Sequence, residues 1–267
     1  MSNHYFSNVR NTLIANTPDK KIKLFKTLYQ NFLEDKLIFT PTNEIEIFKR
    51  PAYSTFCNIV DQREVPARKN LASKEGQIIL LHAIAHIEYS AIDLALDACY
   101  RFQDMPKKFY EDWMKVADDE IRHFLMITEL LDTFDVKYGD IDVHQVLFDA
   151  SMRTQDLIPR MALIPRYMEA NGLDANAMMI HKLKKTPNTQ NIIDLLEIIL
   201  EEEVDHVQKG DIWYKYACNQ KENFSCNYFN VVKSVYPNSF RTNKHVNVEA
   251  RKKAGFSDEE IKILLGK

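Results

Sequence analysis

Apolar residues recur at helical spacing along most of the chain. After Thr17-Pro18-Asp19, where proline opens a helix at a position whose N–H is not needed, Ile22, Leu24, Phe25, Leu28, Tyr29, Phe32 and Leu33 predict a first, peripheral helix. Pro41, Pro51 and Pro66, with the basic cluster Arg63, Arg68 and Lys69, then interrupt the pattern, so residues 41–70 are expected to form an irregular arm. Four long helices are predicted next, at about residues 73–102, 106–134, 142–171 and 188–218. Ser73 precedes the first, Pro106 opens the second, Gly139 separates the second from the third, and Asn171-Gly172 ends the third. A short helix and a break at Pro187 fill residues 173–187. After Cys218 the chain reads as irregular until Ser257-Asp-Glu-Glu260, a capping-box pattern that starts a terminal helix. The expected organisation is an N-terminal helix and arm over residues 1–72, a four-helix bundle over 73–219 and an extension over 220–267 packed on the bundle.

Composition agrees with an all-α chain. Only 6 glycines and 9 prolines occur in 267 residues, too few for the turns of an all-β fold, and the length suits one large core. The formal charge of −3 arises from 35 basic and 38 acidic residues that are well mixed, so composition gives no support for a polyanion or an acidic membrane surface as partner. Cys57, Cys99, Cys218 and Cys226 form no Cys-x-x-Cys pair and are read as reduced thiols of an intracellular protein. The first 20 residues lack the apolar run of a secretory signal, and the apolar segments Ile78–Ile87 and Ile192–Leu200 are too short to cross a membrane. A soluble, cytoplasmic protein is expected.

The chemistry lies in a repeated spacing. In the second long helix Glu120 and His123 form Glu-x-x-His; three residues are roughly 300° of helix, so both side chains leave one face and can reach one ion. Glu203 and His206 repeat the motif in the fourth helix. A two-metal carboxylate bundle needs this motif from two helices and a single inward glutamate from each of the other two. Glu88 is the sole glutamate of the first long helix beyond its opening turn, and Glu169 is the sole one between Glu129 and Glu197. Glu88 and Glu120 are 32 residues apart and Glu169 and Glu203 are 34 apart, as two similar helical hairpins would require. Glu88 falls on the stripe Leu81, Ile84, Ala85, Ala91, Ile92, Ala95, while Glu120 falls on Trp113, Val116, Ala117, Phe124, Ile127. A carboxylate in such a stripe is costly unless its charge is compensated, and a metal cation does so. Glu169 is the weakest member, because its helix contains Pro159 and Pro165.

Other polar residues admit plainer readings. Asp119 and Asp205 are read as surface carboxylates before groups that orient the histidines or neighbouring side chains. His82 and His86, four apart, are read as packed or hydrogen-bonded helix histidines rather than a separate metal pair with Asp93. Tyr89, Tyr100, Tyr110 and Tyr167 are read as core and interface aromatics. Arg160 and Arg166 are read as salt-bridge residues before anion ligands.

At these positions the chain resembles the ferritin-like superfamily, and more closely the branch known as domain of unknown function 455. The resemblance is carried by Leu81-His-Ala-Ile-Ala-His-Ile-Glu88, Asp118-Asp-Glu-Ile-Arg-His123, residues 160–174 around Glu169, and Glu201 to His206. Val65-Pro-Ala-Arg68 and residues 247–256 add to it, so it spans about residues 60–260 and leaves 1–59 outside. It implies a di-metal bundle with more distant likeness to rubrerythrins and tRNA-modifying di-iron hydroxylases, but no particular reaction. The expected ligands are Glu88, Glu120, His123, Glu169, Glu203 and His206, holding two ions: iron first, with manganese or zinc as alternatives.

The leading functional expectation is an oxygen-dependent oxidoreductase or hydroxylase acting on a small molecule. Molecular oxygen and an external reductase or ferredoxin are its implied partners, and a homodimer is compatible with it. Hydroxylation of a modified tRNA nucleoside is an alternative that needs a basic groove, for which Arg63, Arg68, Lys69, Arg160 and Arg166 are the candidates. Non-catalytic iron or manganese storage is another.

Overall fold

The computed structural model describes residues 3–42, 44–221, 226–240 and 245–267. The protein is all-α; among the described residues there is no strand, and the bridges His4–Ile38 and Ile59–Val143 are isolated. The chain divides into two compact units, Met1–Phe148 and Asp149–Lys267.

The first unit contains α1 (Tyr5–Leu13), α2 (Pro18–Leu33), a 3-10 turn (Ala52–Thr55), α3 (Lys74–Arg101) and α4 (Lys107–Asp132). Thr17 caps α2 by accepting the Lys20 N–H at 3.3 Å, as the Thr-Pro-Asp signal predicts. The preceding α1 was not anticipated. It is a short helix whose Tyr5, Phe6, Val9 and Leu13 are buried, Tyr5 stacking on Phe39 at 4.3 Å between ring centroids, so tertiary packing supplies what its length cannot. Lys21 joins three elements: its buried ammonium donates to the Leu13 carbonyl at 2.6 Å, to the Thr12 carbonyl at 3.3 Å and to Asp93 at 2.5 Å. The described residues of 41–70 run irregularly around the 3-10 turn, as their prolines predict.

Ser73 opens α3 by accepting the Gly76 N–H at 3.1 Å, and Pro106 precedes α4. The loop between them is five residues, so the two helices pack as a hairpin. Here α3 is long and apolar enough by composition to cross a membrane, but 72% of its most apolar stretch is buried inside the protein, as in a core helix.

The second unit contains α6 (Leu157–Leu163), a π-turn (Ile164–Glu169), α7 (Ala170–Leu183), α8 (Gln190–Asn219), α9 (Tyr228–Val235), α10 (Val248–Lys253) and α11 (Asp258–Leu264); α5 (Val146–Arg153) crosses the division. The single helix expected over residues 142–171 is thus segmented, and it does not end at Asn171-Gly172. Pro159 is tolerated in the first turn of α6, whereas Pro165 lies inside the run and has no N–H to give, and the chain widens there into the π-turn. Gly172 continues α7 in open surroundings. The stretch after Cys218, expected to be irregular, holds α9 and α10, each started by an asparagine whose side chain accepts an N–H three residues on. The capping box of Ser257 and Glu260 starts α11 as predicted.

The cysteine expectation needs correction. Cys57 and Cys99 are free and buried, but Cys218 and Cys226 are joined in a disulfide with their Cα atoms 5.9 Å apart. That separation is within the range a disulfide spans, so the bond needs no Cys-x-x-Cys spacing.

Candidate metal centre

In the first unit α3 contributes Glu88, and α4 contributes Glu120 and His123 from one face of the helix. All three are buried, at 4%, 1% and 0% exposure. His123 Nδ1 lies 3.1 Å from Glu88 Oε2 and 3.6 Å from Glu120 Oε2. One donor atom from each of the three lies within 4.8 Å of the others, so this buried cluster could hold a metal ion. The electrostatics point the same way. Burial works against a charged His123 ring, but hydrogen bonds and charge from Glu120 and then Glu88 outweigh it and push the imidazolium up to about 11. Without a metal, a proton on His123 offsets the two carboxylates; with a metal, neutral imidazole and carboxylates are the donor types that hard and borderline divalent ions take.

In the second unit α8 repeats the spacing. Glu203 and His206 are both buried, and His206 Nδ1 lies 3.5 Å from Glu203 Oε1. One turn on, Asp205 pairs with Lys209. Glu169 ends the π-turn and is half-buried. Among the described residues, the donors packed closely enough to share one ion do not include Glu169 or His206.

The plainer readings fare well. The Gly139 N–H donates to His82 Nε2 at 2.9 Å, and His86 bridges the Tyr138 hydroxyl at 2.9 Å and the His144 carbonyl at 2.6 Å, so both rings tie α3 to the loop after α4. With Val65, Pro66 and Val143 they line a cleft of about 20 Å³, room for roughly one water. Asp119 departs from its plainer reading as a surface carboxylate: it is buried and paired with Lys115 and Arg122. Tyr89, Tyr100 and Tyr110 are core residues.

Arg160 and Arg166 are both 1% exposed. Arg160 donates to the Thr154 and Ser151 carbonyls at 3.0 and 2.8 Å, and Arg166 bonds Asp211 at 2.7 Å and Glu260 at 2.8 Å. The partners of Arg166, and the buried pair of Arg251 with Asp174 at 2.7 Å, were not foreseen. Gly210, placed inside a long helix where glycine is unfavourable, was the one local signal that something packs closely there.

The family model described as protein of unknown function (DUF455) matches residues 14–262. The chain belongs to the DUF455 family. Over 268 aligned residues this DUF455 protein is 32% identical to an uncharacterised protein of Haemophilus influenzae, a match covering 96% of this chain and 92% of the relative. No solved structure matches it.

Proposed function

We propose that this DUF455 protein is a ferritin-like two-metal carboxylate protein, with iron as the native metal, that uses molecular oxygen to oxidise or hydroxylate a small organic molecule. The observation that carries the reading is the buried Glu88–His123–Glu120 cluster of α3 and α4 together with its counterpart spacing, Glu203 and His206, in α8. Glu169, Glu203 and His206 would be the remaining donors of such a two-metal centre. Four carboxylates against two divalent ions give a neutral centre, the condition under which so many buried acids are tolerated.

Redox-active ions held by these residues would supply the electrons for oxygen activation. The protein's own part is to hold those donors in a water-poor interior: Glu88, Glu120 and His123 lie on helices rather than loops, and Ile84, Ala85, Ile92, Val116 and Ala117 around them are all buried. His123 would release its proton to serve as a neutral donor, with Glu88 and Glu120 orienting the ring. No protein nucleophile is invoked, and reducing equivalents come from a separate reductase or ferredoxin. The burial of Arg160 and Arg166 within internal bonds removes two members of the basic groove that a nucleic-acid substrate would need, which favours a small molecule.

The test is elemental analysis of the purified protein beside a Glu203→Gln, His206→Ala variant, followed by oxygen consumption by the anaerobically reduced iron form. About two iron ions per chain in the wild type, lost in the variant, with oxygen taken up after reduction, is the expected result. No stoichiometric metal after anaerobic iron loading would overturn the reading. Stoichiometric metal in large soluble cages without substrate turnover would favour storage instead.

A further inference from the structure

The π-turn that ends at Glu169 is gripped from two sides within the second unit. On one side is α8. A Cβ on Gly210 would stand 2.5 Å from the Pro165 Cβ and 3.2 Å from the Arg166 nitrogen, so only glycine lets α8 approach the turn this closely. On the other side is the C-terminal segment. Glu260 of α11 takes the Arg166 guanidinium in a forked pair, at 2.8 and 3.0 Å, while Arg166 Nε donates to Asp211 of α8 at 2.7 Å. The guanidinium carbon lies 4.0 Å from the Tyr228 ring centroid, 4.7 Å from Phe256 and 5.5 Å from Tyr214, an aromatic cage around a buried cation. The Tyr228 hydroxyl also donates to the Arg166 carbonyl at 3.0 Å, fixing the backbone of the turn as well as the side chain. Gly255, at φ +97°, lets the segment run against Asp211, whose carboxylate a Cβ there would meet at 2.5 Å.

The geometry gives this clamp a consequence. A π-turn inserts one residue into the helical repeat, so everything after it is rotated by roughly 100° relative to an unbroken helix. Relaxation of the turn to α-helix would therefore carry Glu169, three residues beyond Arg166, to a different face.

We propose that Arg166, locked by Glu260 and Tyr228, is a positioning residue that keeps the π-turn wound and thereby sets Glu169 as a donor to the second metal ion. The proposal rests on the two-metal reading given above. Its difference from a purely structural tail anchor is that loss of the clamp changes metal affinity at one ion in protein that remains folded.

The experiment is an anaerobic Mn(II) titration of the full chain by calorimetry, with hydrogen exchange of the metal-free protein, on wild type, Glu169→Gln, Glu260→Ala and Ser257→Ala. Ser257→Ala removes the cap of α11 without touching Arg166, and so controls for simple fraying. Expected are two binding events in the wild type, loss of one in Glu169→Gln, and weakening of that same event by about tenfold or more in Glu260→Ala with the other unchanged. Amides of residues 164–170 should exchange faster in Glu260→Ala, and Ser257→Ala should bind as wild type. If Glu260→Ala does not fold, Tyr228→Phe, which deletes one hydroxyl, should show the same selective weakening. Wild-type affinity at both ions in Glu260→Ala, beside a lost event in Glu169→Gln, overturns the positioning role and leaves the two-metal reading standing. Two unaltered events in Glu169→Gln, or none in the wild type, overturn the metal reading and the proposal together.

Discussion

His123 of α4 reaches across to Glu88 of α3, its Nδ1 3.1 Å from the carboxylate oxygen, so the two helices of the hairpin are joined by a buried charge pair at the level of the candidate metal centre. Removing the ring leaves Glu88 and Glu120 buried without their cation. His123→Ala should therefore destabilise the metal-free protein by about 3–5 kcal/mol. Urea unfolding after chelation measures this. The double variant Glu88→Gln, His123→Ala should recover part of the loss, and strict additivity of the two single effects would contradict the pairing.

A second prediction concerns pH. Burial lowers both His82 and His86 from 6.5 to about 4, with smaller opposing contributions from Asp140 and the His144 carbonyl respectively. Above the unfolded value both states are neutral and nothing changes. Between about 6.5 and 4 the unfolded chain takes up protons that the folded rings refuse, so stability falls with falling pH by about 1.4 kcal/mol per unit for each histidine, levelling below about 4. His86→Gln should have a shallower stability profile over this window than wild type; superimposable slopes would refute the assignment.

Lys21 offers a third test, since its fully buried ammonium holds Asp93 and the last carbonyls of α1. Lys21→Met should cost about 3–5 kcal/mol, because Asp93 is left without its counter-charge. A fall in the urea midpoint at unchanged m-value is expected, with partial recovery in Lys21→Met, Asp93→Leu. A midpoint within error of wild type would count against the bridge.

The disulfide of Cys218 and Cys226 closes a loop with a sequence separation of 8. In the chain-entropy account a loop this short contributes about 2.5 kcal/mol. The Cys218→Ser, Cys226→Ser variant should therefore unfold at lower denaturant, and reductant should shift the wild type but not the variant. Thiol titration of the unfolded, unreduced protein should count two free groups, Cys57 and Cys99; four would show that the pair is not formed.

Much of the fold was legible because long helices advertise themselves. The runs that became α3, α4 and α8 carry sustained periodicity and clear starts, Ser73 and Pro106 among them, and their ends fell within a few residues of expectation. What escaped was set by tertiary contact or by backbone detail. Tyr5, Phe6, Val9 and Leu13 of α1 do lie at helical spacing, but nine residues without a side-chain cap make a weak signal until Tyr5 meets Phe39. The two prolines signalled trouble in the third helix, but pattern alone cannot say whether Pro165 ends a helix, kinks it or widens it.

Of the candidate site, the Glu-x-x-His spacing led directly to Glu120 and His123, and the shortage of alternative glutamates led to Glu88, now adjacent to His123. The supporting residues were hidden because their partners are distant in sequence: Arg166 meets Asp211 across 45 residues and Glu260 across 94. Long-range charge pairs of this kind leave no periodic trace.

The α3–α4 hairpin has a consequence for the order of events during synthesis. Glu88, Glu120 and His123 all lie within Lys74–Asp132, and their approach needs only the short loop between two sequential helices. Local closure of this sort is fast compared with chain elongation, which adds about 5–20 residues each second. Glu88, Glu120 and His123 can thus gather while the codons for α8 are still unread, and the newly made hairpin then sets two buried carboxylates against the His123 proton.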